Sequence, residues 1–187
     1  MAHGLIQPQP GRQIEDTGNQ YLIYLAQRSL LQSFGSEYKM HSLVHSLVMA
    51  VTADESLCLS GTDKSSNQHK NEKVSIRHIA LISDNMKMAE ILLNNLRTLL
   101  FIRTTRTNFE YGSLFMKLKC VRVLCLGDKR LRHLPESIGN LKQLRYLDLS
   151  HTVVSTVPDE LCSLYNLQTL KLSISFSSKP LQNACRI

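Results

Sequence analysis

No uninterrupted apolar run in the chain exceeds six residues, Tyr21 to Ala26, far short of the roughly 20 that a membrane-spanning helix needs. The opening Met1-Ala2-His3-Gly4 lacks a charged and then apolar leader, so no secretory signal is expected. The five cysteines (58, 120, 125, 162 and 185) form no CxxC pair. That spacing points to neither a disulfide framework nor a zinc site. A reducing compartment follows, cytosol or nucleus, with the cytoplasm as the expectation. The eight glycines are scattered, and none opens a GxxxxGK-Ser/Thr loop able to cradle phosphates. No nucleophile elbow occurs either, so enzyme activity is not expected. His41 and His45 stand at a helical chelating distance. No Cys, Asp or Glu nearby completes a metal site, and none is predicted.

Acids are also scarce where bases gather. Between Arg97 and Arg132 nine Lys or Arg face only Glu110 and Asp128, which accounts for the whole net charge of +7. From this stretch Arg103, Arg106, Lys117, Lys119, Arg122, Arg130 and Arg132 form a candidate basic patch. It lacks interleaved aromatics and any nucleic-acid motif, so it reads as a solvated rim or as a surface facing an acidic protein partner, and not as a nucleic-acid site.

What the chain does have is a repeat. Val121-Arg-Val-Leu124-Cys-Leu126 recurs 23 residues on as Leu144-Arg-Tyr-Leu147-Asp-Leu149, and again after 23 as Leu167-Gln-Thr-Leu170-Lys-Leu172. Leu131, Leu134, Pro135, Ile138 and Leu141 match Val154, Val157, Pro158, Leu161 and Leu164 at the same spacing. Upstream, Ile76 to Leu81 and Leu96 to Phe101 fit the LxxLxL template at spacings of 20 and 25 residues. A unit of this length and pattern is the leucine-rich repeat. The fold class expected is therefore α/β, a solenoid of about five short parallel strands preceded by a partial helical segment. In each strand the fourth and sixth residues of the motif point inward, because side chains alternate with period two. Stacked turns bury them together; no turn can do so alone.

Recognition then falls to the outward positions, which should stack into columns. One reads His78, Thr98, Val123, Tyr146, Thr169. The next reads Ala80, Leu100, Cys125, Asp148, Lys171, and a third Ile82, Ile102, Gly127, Ser150, Ser173. Ala80, Ile82, Leu100 and Ile102 make an outward apolar area, and such areas mark contact surfaces. Tyr146, Asp148 and Lys171 make its polar continuation, with Asp148 expected beside Lys171. The repeat pattern stops after Ser175.

Ahead of the repeats, residues 14–32 show helical spacing with Glu15 and Asp16 at the start. Ser33-Phe34-Gly35-Ser36 reads as a turn. Met40, Leu43, Val44, Leu47, Val48 and Val51 mark one face of a second helix. Residues 60–73 are polar throughout. The expected organisation is a winged-helix segment over 1–56, a linker over 57–74, repeats over 75–175 and a tail over 176–187. The two helices and a short strand lack the means to build a core alone, and their apolar faces need a partner.

Tyr38-Lys39-Met40-His41-Ser42-Leu43-Val44-His45-Ser46-Leu47 resembles the MHD segment of plant nucleotide-binding leucine-rich-repeat disease resistance proteins. The stretches Met1 to Gln7 and Ile14 to Tyr21 resemble the preceding part of that family's winged-helix subdomain. The likeness runs in order over residues 1–173. It implies a cytosolic immune receptor switching between ADP and ATP states, whose repeats sense the pathogen signal and hold the switch off. His41 would be the nucleotide contact carried over, while Ser42 replaces the family's aspartate and could cap the following helix through its hydroxyl. With no phosphate loop in the chain, ADP or ATP is expected only alongside a separate nucleotide-binding domain. The resulting expectation is a non-enzymatic protein-interaction module whose partner is such a nucleotide-binding region, a pathogen protein or a host signalling protein. Two other readings stand beside it: a repeat scaffold for a small GTPase or other signalling protein, and a truncated product without independent function. Met40-His41 argues against the plain scaffold.

Overall fold

The computed structural model describes residues 2–4, 6–7, 10–35, 37–59, 76–82, 93–102 and 110–172. It divides into two units, Met1–Asp54 and Glu55–Ile187. The polar segment 60–73, the break expected after Ser175 and the tail 176–187 lie outside the described residues, as do Arg103, Arg106 and Ser173.

The first unit opens with helix α1, Ile14–Gln27, whose first turn carries Glu15 and Asp16 at its positive end. The helix stops five residues before the expected limit at Gln32. Ser29 turns left-handed at φ 60°, a conformation that favours glycine. The Leu30 amide then donates to the Leu25 carbonyl at 3.0 Å and the Ser29 amide to the Ala26 carbonyl at 2.9 Å. This pair of bonds is the Schellman ending, made here with serine in the glycine position. A hairpin follows instead of a single strand: β1, Leu31–Phe34, pairs antiparallel with β2, Glu37–Met40. Ser33 and Phe34, expected in the turn, sit in β1. The reversal uses Gly35 at φ 62°, the positive φ that tight hairpins require. Helix α2, Ser42–Val51, comes next. Its apolar stripe forms from Leu43 to Val51, while Met40, expected on the same face, ends β2; the stripe is uncovered, with Leu43 at 75% and Val51 at 76% exposure. Among the described residues of this unit only Thr17 is buried, so the unit holds no apolar core of its own.

The second unit is a six-stranded parallel sheet in strict sequence order. Its strands are β3 Ser56–Leu59, β4 His78–Leu81, β5 Thr98–Phe101, β6 Val123–Cys125, β7 Tyr146–Asp148 and β8 Thr169–Lys171. The five strands read from the LxxLxL motifs all form, and β3 precedes them. All six strands run in the same direction. Where the connections between strands are described, they carry a 3-10 turn at Leu93–Asn95, then helix α3, Tyr111–Lys117, and 3-10 turns at Glu136–Asn140 and Asp159–Ser163, these last three packing on one another on the far side of the sheet.

The periodic aliphatics form one continuous core. Leu96, Leu99, Val121, Leu124, Ile138, Leu141, Leu144 and Leu147 have no exposed surface. Burial of a side chain of this size contributes about 1.5–3 kcal/mol. Cover thins toward the last strand, where Leu170 and Leu172 are only partly buried. The 25-residue step also finds its place. Leu118, Leu141 and Leu164 end α3 and the two later 3-10 turns with near-identical backbone angles, and each stands three residues before the next motif. The two extra residues therefore fall before Leu118. Successive coils are tied on the far side as well: the Asn166 side-chain amide donates to the Lys142 carbonyl at 2.7 Å, and the Ser163 hydroxyl to the Gly139 carbonyl at 3.2 Å.

Candidate interaction face

The strand register sets the outward columns as the motif spacing implied. His78, Thr98, Val123, Tyr146 and Thr169 are direct partners across the sheet, and so are Ala80, Leu100, Cys125, Asp148 and Lys171. Strand β3 extends the two columns by Ser56 and Cys58.

In the first coils the face is apolar. Ala80 and Leu100 are half-buried in the strands. Just beyond them Ile82 and Ile102 are each 42% exposed. Their positions are fixed by the backbone: the Ile82 amide donates to the Leu59 carbonyl at 2.9 Å and the Ile102 amide to the Leu81 carbonyl at 2.8 Å. On the neighbouring column His78 Nδ1 lies 2.9 Å from Thr98 Oγ1.

In the later coils the face is a polar network. The Tyr146 hydroxyl donates to Asp148 Oδ2 at 3.1 Å, and Ser150 donates to Asp148 Oδ1 through its amide at 2.9 Å and its hydroxyl at 2.5 Å. Burial opposes ionisation of Asp148, but the bonds from Ser150 and Tyr146, with the nearby Lys171 charge, outweigh it and hold the carboxyl below its ordinary value. The Lys171 ammonium lies 5.6 Å from the centre of the Tyr146 ring, within cation–π range. Cys125, between these groups and the apolar coils, is pushed up to about 11 by burial and then by the Asp148 charge. It is a neutral thiol at physiological pH.

The basic residues do not gather at one place. Lys117, Lys119 and Arg122 precede β6, whereas Arg130 and Arg132 follow it at the opposite end of the strand. The turn that carries Arg130 is anchored by buried Asp128, which accepts from the Tyr111 hydroxyl and the Arg130 amide, each at 2.8 Å. A different basic grouping was not anticipated although the motif contained it: the second motif residue is arginine at 77, 97, 122 and 145, each immediately before one of four successive strands.

In the first unit His41 is exposed and forms the N-cap of α2, its Nδ1 accepting from the Leu43 amide at 3.3 Å. Ser42, expected to cap through its hydroxyl, is instead the first helical residue, and its carbonyl accepts from the Ser46 hydroxyl at 3.0 Å. Capping occupies Nδ1, so His41 has one ring nitrogen left to offer a ligand. One imidazole nitrogen on an exposed helix end does not make a nucleotide site, and the residues described here do not fit ADP or ATP.

Three of the five cysteines, Cys58, Cys120 and Cys125, are free. Cys162 is disulfide-bonded, against the expectation of none, because CxxC spacing detects only pairs close in sequence. Among the described residues no helix is long and apolar enough to cross a membrane.

These features define a leucine-rich-repeat solenoid that follows a winged-helix-like helical unit. Residues 1–48 match the family model described as the disease resistance protein winged helix domain. The chain is 32% identical over 185 residues to an Arabidopsis thaliana protein named for disease resistance, At3g14460, covering 90% of this chain and 13% of that protein. It is 32% identical over 186 residues to the Arabidopsis disease resistance RPP13-like protein 1, covering 91% and 17%. It is also 34% identical over 156 residues to the disease resistance protein RGA1 of Solanum bulbocastanum, covering 80% and 13%. The solved structure of a leucine-rich-repeat protein of Leptospira interrogans is similar over 53% of this chain and 24% of that one, at 29% identity and a TM-score of 0.43. The chain is thus a relative of the plant disease resistance proteins, and it spans between 13% and 17% of the length of the three named here.

Proposed function

We propose that this chain is a non-enzymatic protein-interaction module of a plant disease-resistance receptor, acting in the cytoplasm. The supporting observation is the outward strand face, where exposed Ile82 and Ile102 border Ala80 and Leu100 and give way to the network of Tyr146, Asp148 and Lys171. Two exposed isoleucines beside the half-buried Ala80 and Leu100 carry a solvation cost that a protein partner would relieve. The adjacent polar network supplies the directional contacts that distinguish one partner from another.

In this reading the partner is the nucleotide-binding region of a receptor, with the cations Lys117, Lys119 and Arg122 facing acids on it and Arg103 and Arg106 contributing from the same stretch. Arg130 and Arg132 form a second, separate basic edge. ADP or ATP belongs to that partner region, and His41 acts on it only as an accessory contact. Residues 1–54 serve as the winged-helix segment and the recognition array starts at β3, Ser56–Leu59, so the linker expected over 57–74 narrows to 60–74 before the array continues to 175.

The test is co-precipitation of the full chain with the nucleotide-binding region of a related receptor. Ile82→Asp with Ile102→Asp should reduce association at least about tenfold, equivalent to about 1.4 kcal/mol, with circular dichroism unchanged. Undiminished association of the folded double variant would exclude this face. Lys117→Glu with Lys119→Glu should weaken the complex most at low salt, as screening predicts.

A further inference from the structure

Cys162 is an exposed residue of the 3-10 turn Asp159–Ser163, and it is disulfide-bonded. Of the four other cysteines Cys58, Cys120 and Cys125 are free, which leaves Cys185 as the partner within the chain. Cys185 lies outside the described residues, so its place is read from the repeat. It stands 23 residues after Cys162, one full unit of the spacing that sets the strand register from β6 to β8. Ala184 and Ile187 follow Leu161 and Leu164 by the same 23 residues. Ser177 and Pro180, by contrast, stand where the repeat has Val154 and Val157. The last unit therefore keeps the apolar spacing of the far-side turn and loses that of the segment before it.

The described coils show what this phase of the repeat demands. Gly139, 23 residues before Cys162, comes so near the next coil that an added Cβ would meet the Glu160 Cβ at 2.9 Å. The Ser163 hydroxyl closes the same contact, donating to the Gly139 carbonyl at 3.2 Å. Adjoining far-side turns thus touch at the very phase that cysteine occupies one coil on. A disulfide needs Cβ atoms about 3.8 Å apart, and coils stacked this closely bring successive turns within that reach. Between the two cysteines in sequence, Leu170 and Leu172 are only partly buried, so packing alone holds the strand there less firmly than its neighbours.

We propose that a Cys162–Cys185 disulfide is a redox-sensitive clasp on the last coil, holding β8, Thr169–Lys171, when formed and releasing it when reduced. The bond closes a loop that contains the whole of β8, and closure restricts the disordered forms of that loop. Release is thiol–disulfide exchange with a small-molecule thiol. Its thiolate attacks the Cys162 sulfur, the bond to Cys185 breaks, and Cys185 leaves as a thiolate. A second small thiolate attacks the mixed disulfide, the small-molecule disulfide departs, and two protons complete the two cysteine thiols. Two electrons pass from the small thiols to the protein. The exposure of Cys162 leaves the bond open to that attack. In the cytoplasm, where this chain is proposed to act, disulfides are as a rule transient and redox-sensing, so the clasp is a switch there and not a fixture. Lys171 belongs to the clasped strand, which joins the clasp to the polar end of the interaction face; the clasp itself stands whether or not that face binds a receptor domain.

The experiment uses the full chain in glutathione buffers set oxidising or reducing. Free thiols are blocked, and the chain is digested without reductant for mass spectrometry. In the oxidising buffer a peptide pair joined through Cys162 and Cys185 should appear, and in the reducing buffer both cysteines should carry the label. Amide exchange over Thr169–Lys171 should be about tenfold slower in the oxidising buffer and unchanged around Leu124. Cys162→Ser with Cys185→Ser should exchange alike in both buffers, at the rate of the reduced chain, while Cys120→Ser keeps the difference. Cys162 found free or joined to anything other than Cys185 in the oxidising buffer, or β8 exchanging at one rate in both buffers, would each overturn the clasp. Both readings are made on the unaltered chain, so they decide the matter even if the double variant does not fold.

Discussion

Gly139 lies so close to Glu160 of the next coil that a Cβ placed on it would meet the Glu160 Cβ at 2.9 Å and the Glu160 carbonyl oxygen at 3.1 Å. The two 3-10 turns Glu136–Asn140 and Asp159–Ser163 approach at this point with no room for a methyl group. Gly139→Ala should therefore push the coils apart and cost about 1–3 kcal/mol, the usual penalty for overpacking. Urea unfolding of the two proteins would register it as a lower midpoint at unchanged slope. An unshifted midpoint would mean that the coils slide freely.

Ser29 holds a left-handed φ of 60° at the end of α1. Removing its side chain relieves a strain of about 1–2 kcal/mol, so Ser29→Gly should slow amide exchange over the last turn of α1. Ser29→Val should speed it. Equal protection in all three proteins would contradict the left-handed ending.

Cys125 and the exposed Cys58 and Cys120 should separate in a thiol-labelling course followed by mass spectrometry. With a pKa of about 11, about one Cys125 in a thousand is thiolate at pH 8. Its labelling should lag the other two and accelerate with each pH unit. Asp148→Asn removes the neighbouring negative charge and should speed the reaction at Cys125. No acceleration in that variant would leave burial as the sole cause.

Asp148 is the group from which a pH effect on stability is expected. Its folded pKa is lowered, so it favours the folded state at all pH above the unfolded carboxyl value of about 3.9, and that contribution disappears as pH falls through the folded value. Carboxyl NMR titration should find Asp148 below an ordinary aspartate. The Ser150→Ala variant should move it upward, since the hydroxyl bond to Oδ1 goes with the side chain.

Much of the solenoid was legible because its determinants repeat. Eight aliphatic and proline positions recur at 23 residues, and a register built on identical spacing sets which residues are neighbours across the sheet. Asp148 beside Lys171 follows from that arithmetic alone. Strand β3 escaped because Ser56-Leu57-Cys58-Leu59 carries only the second half of the motif. Asp54 stands where the first leucine belongs, and a first strand has no earlier coil for that side chain to pack against. The early end of α1 escaped for a different reason, since serine took the place of the glycine that normally signals it. In α2 the helix was placed correctly, but its cap was assigned to Ser42, the usual residue type, when the His41 ring nitrogen fulfils that role. The arginine column was present in the letters all along. It became a feature only once the strands were laid side by side.

The half-covered state of Leu170 and Leu172 has a consequence for how the molecule fails. In a solenoid each coil leans on its immediate neighbours, and cohesion is close to a sum of local terms. Loss of order would therefore travel inward from β8 as a moving front, one loop at a time, and take the coil of Leu147 before that of Leu124. Limited proteolysis should yield a ladder of progressively shortened cores before the whole sheet is lost.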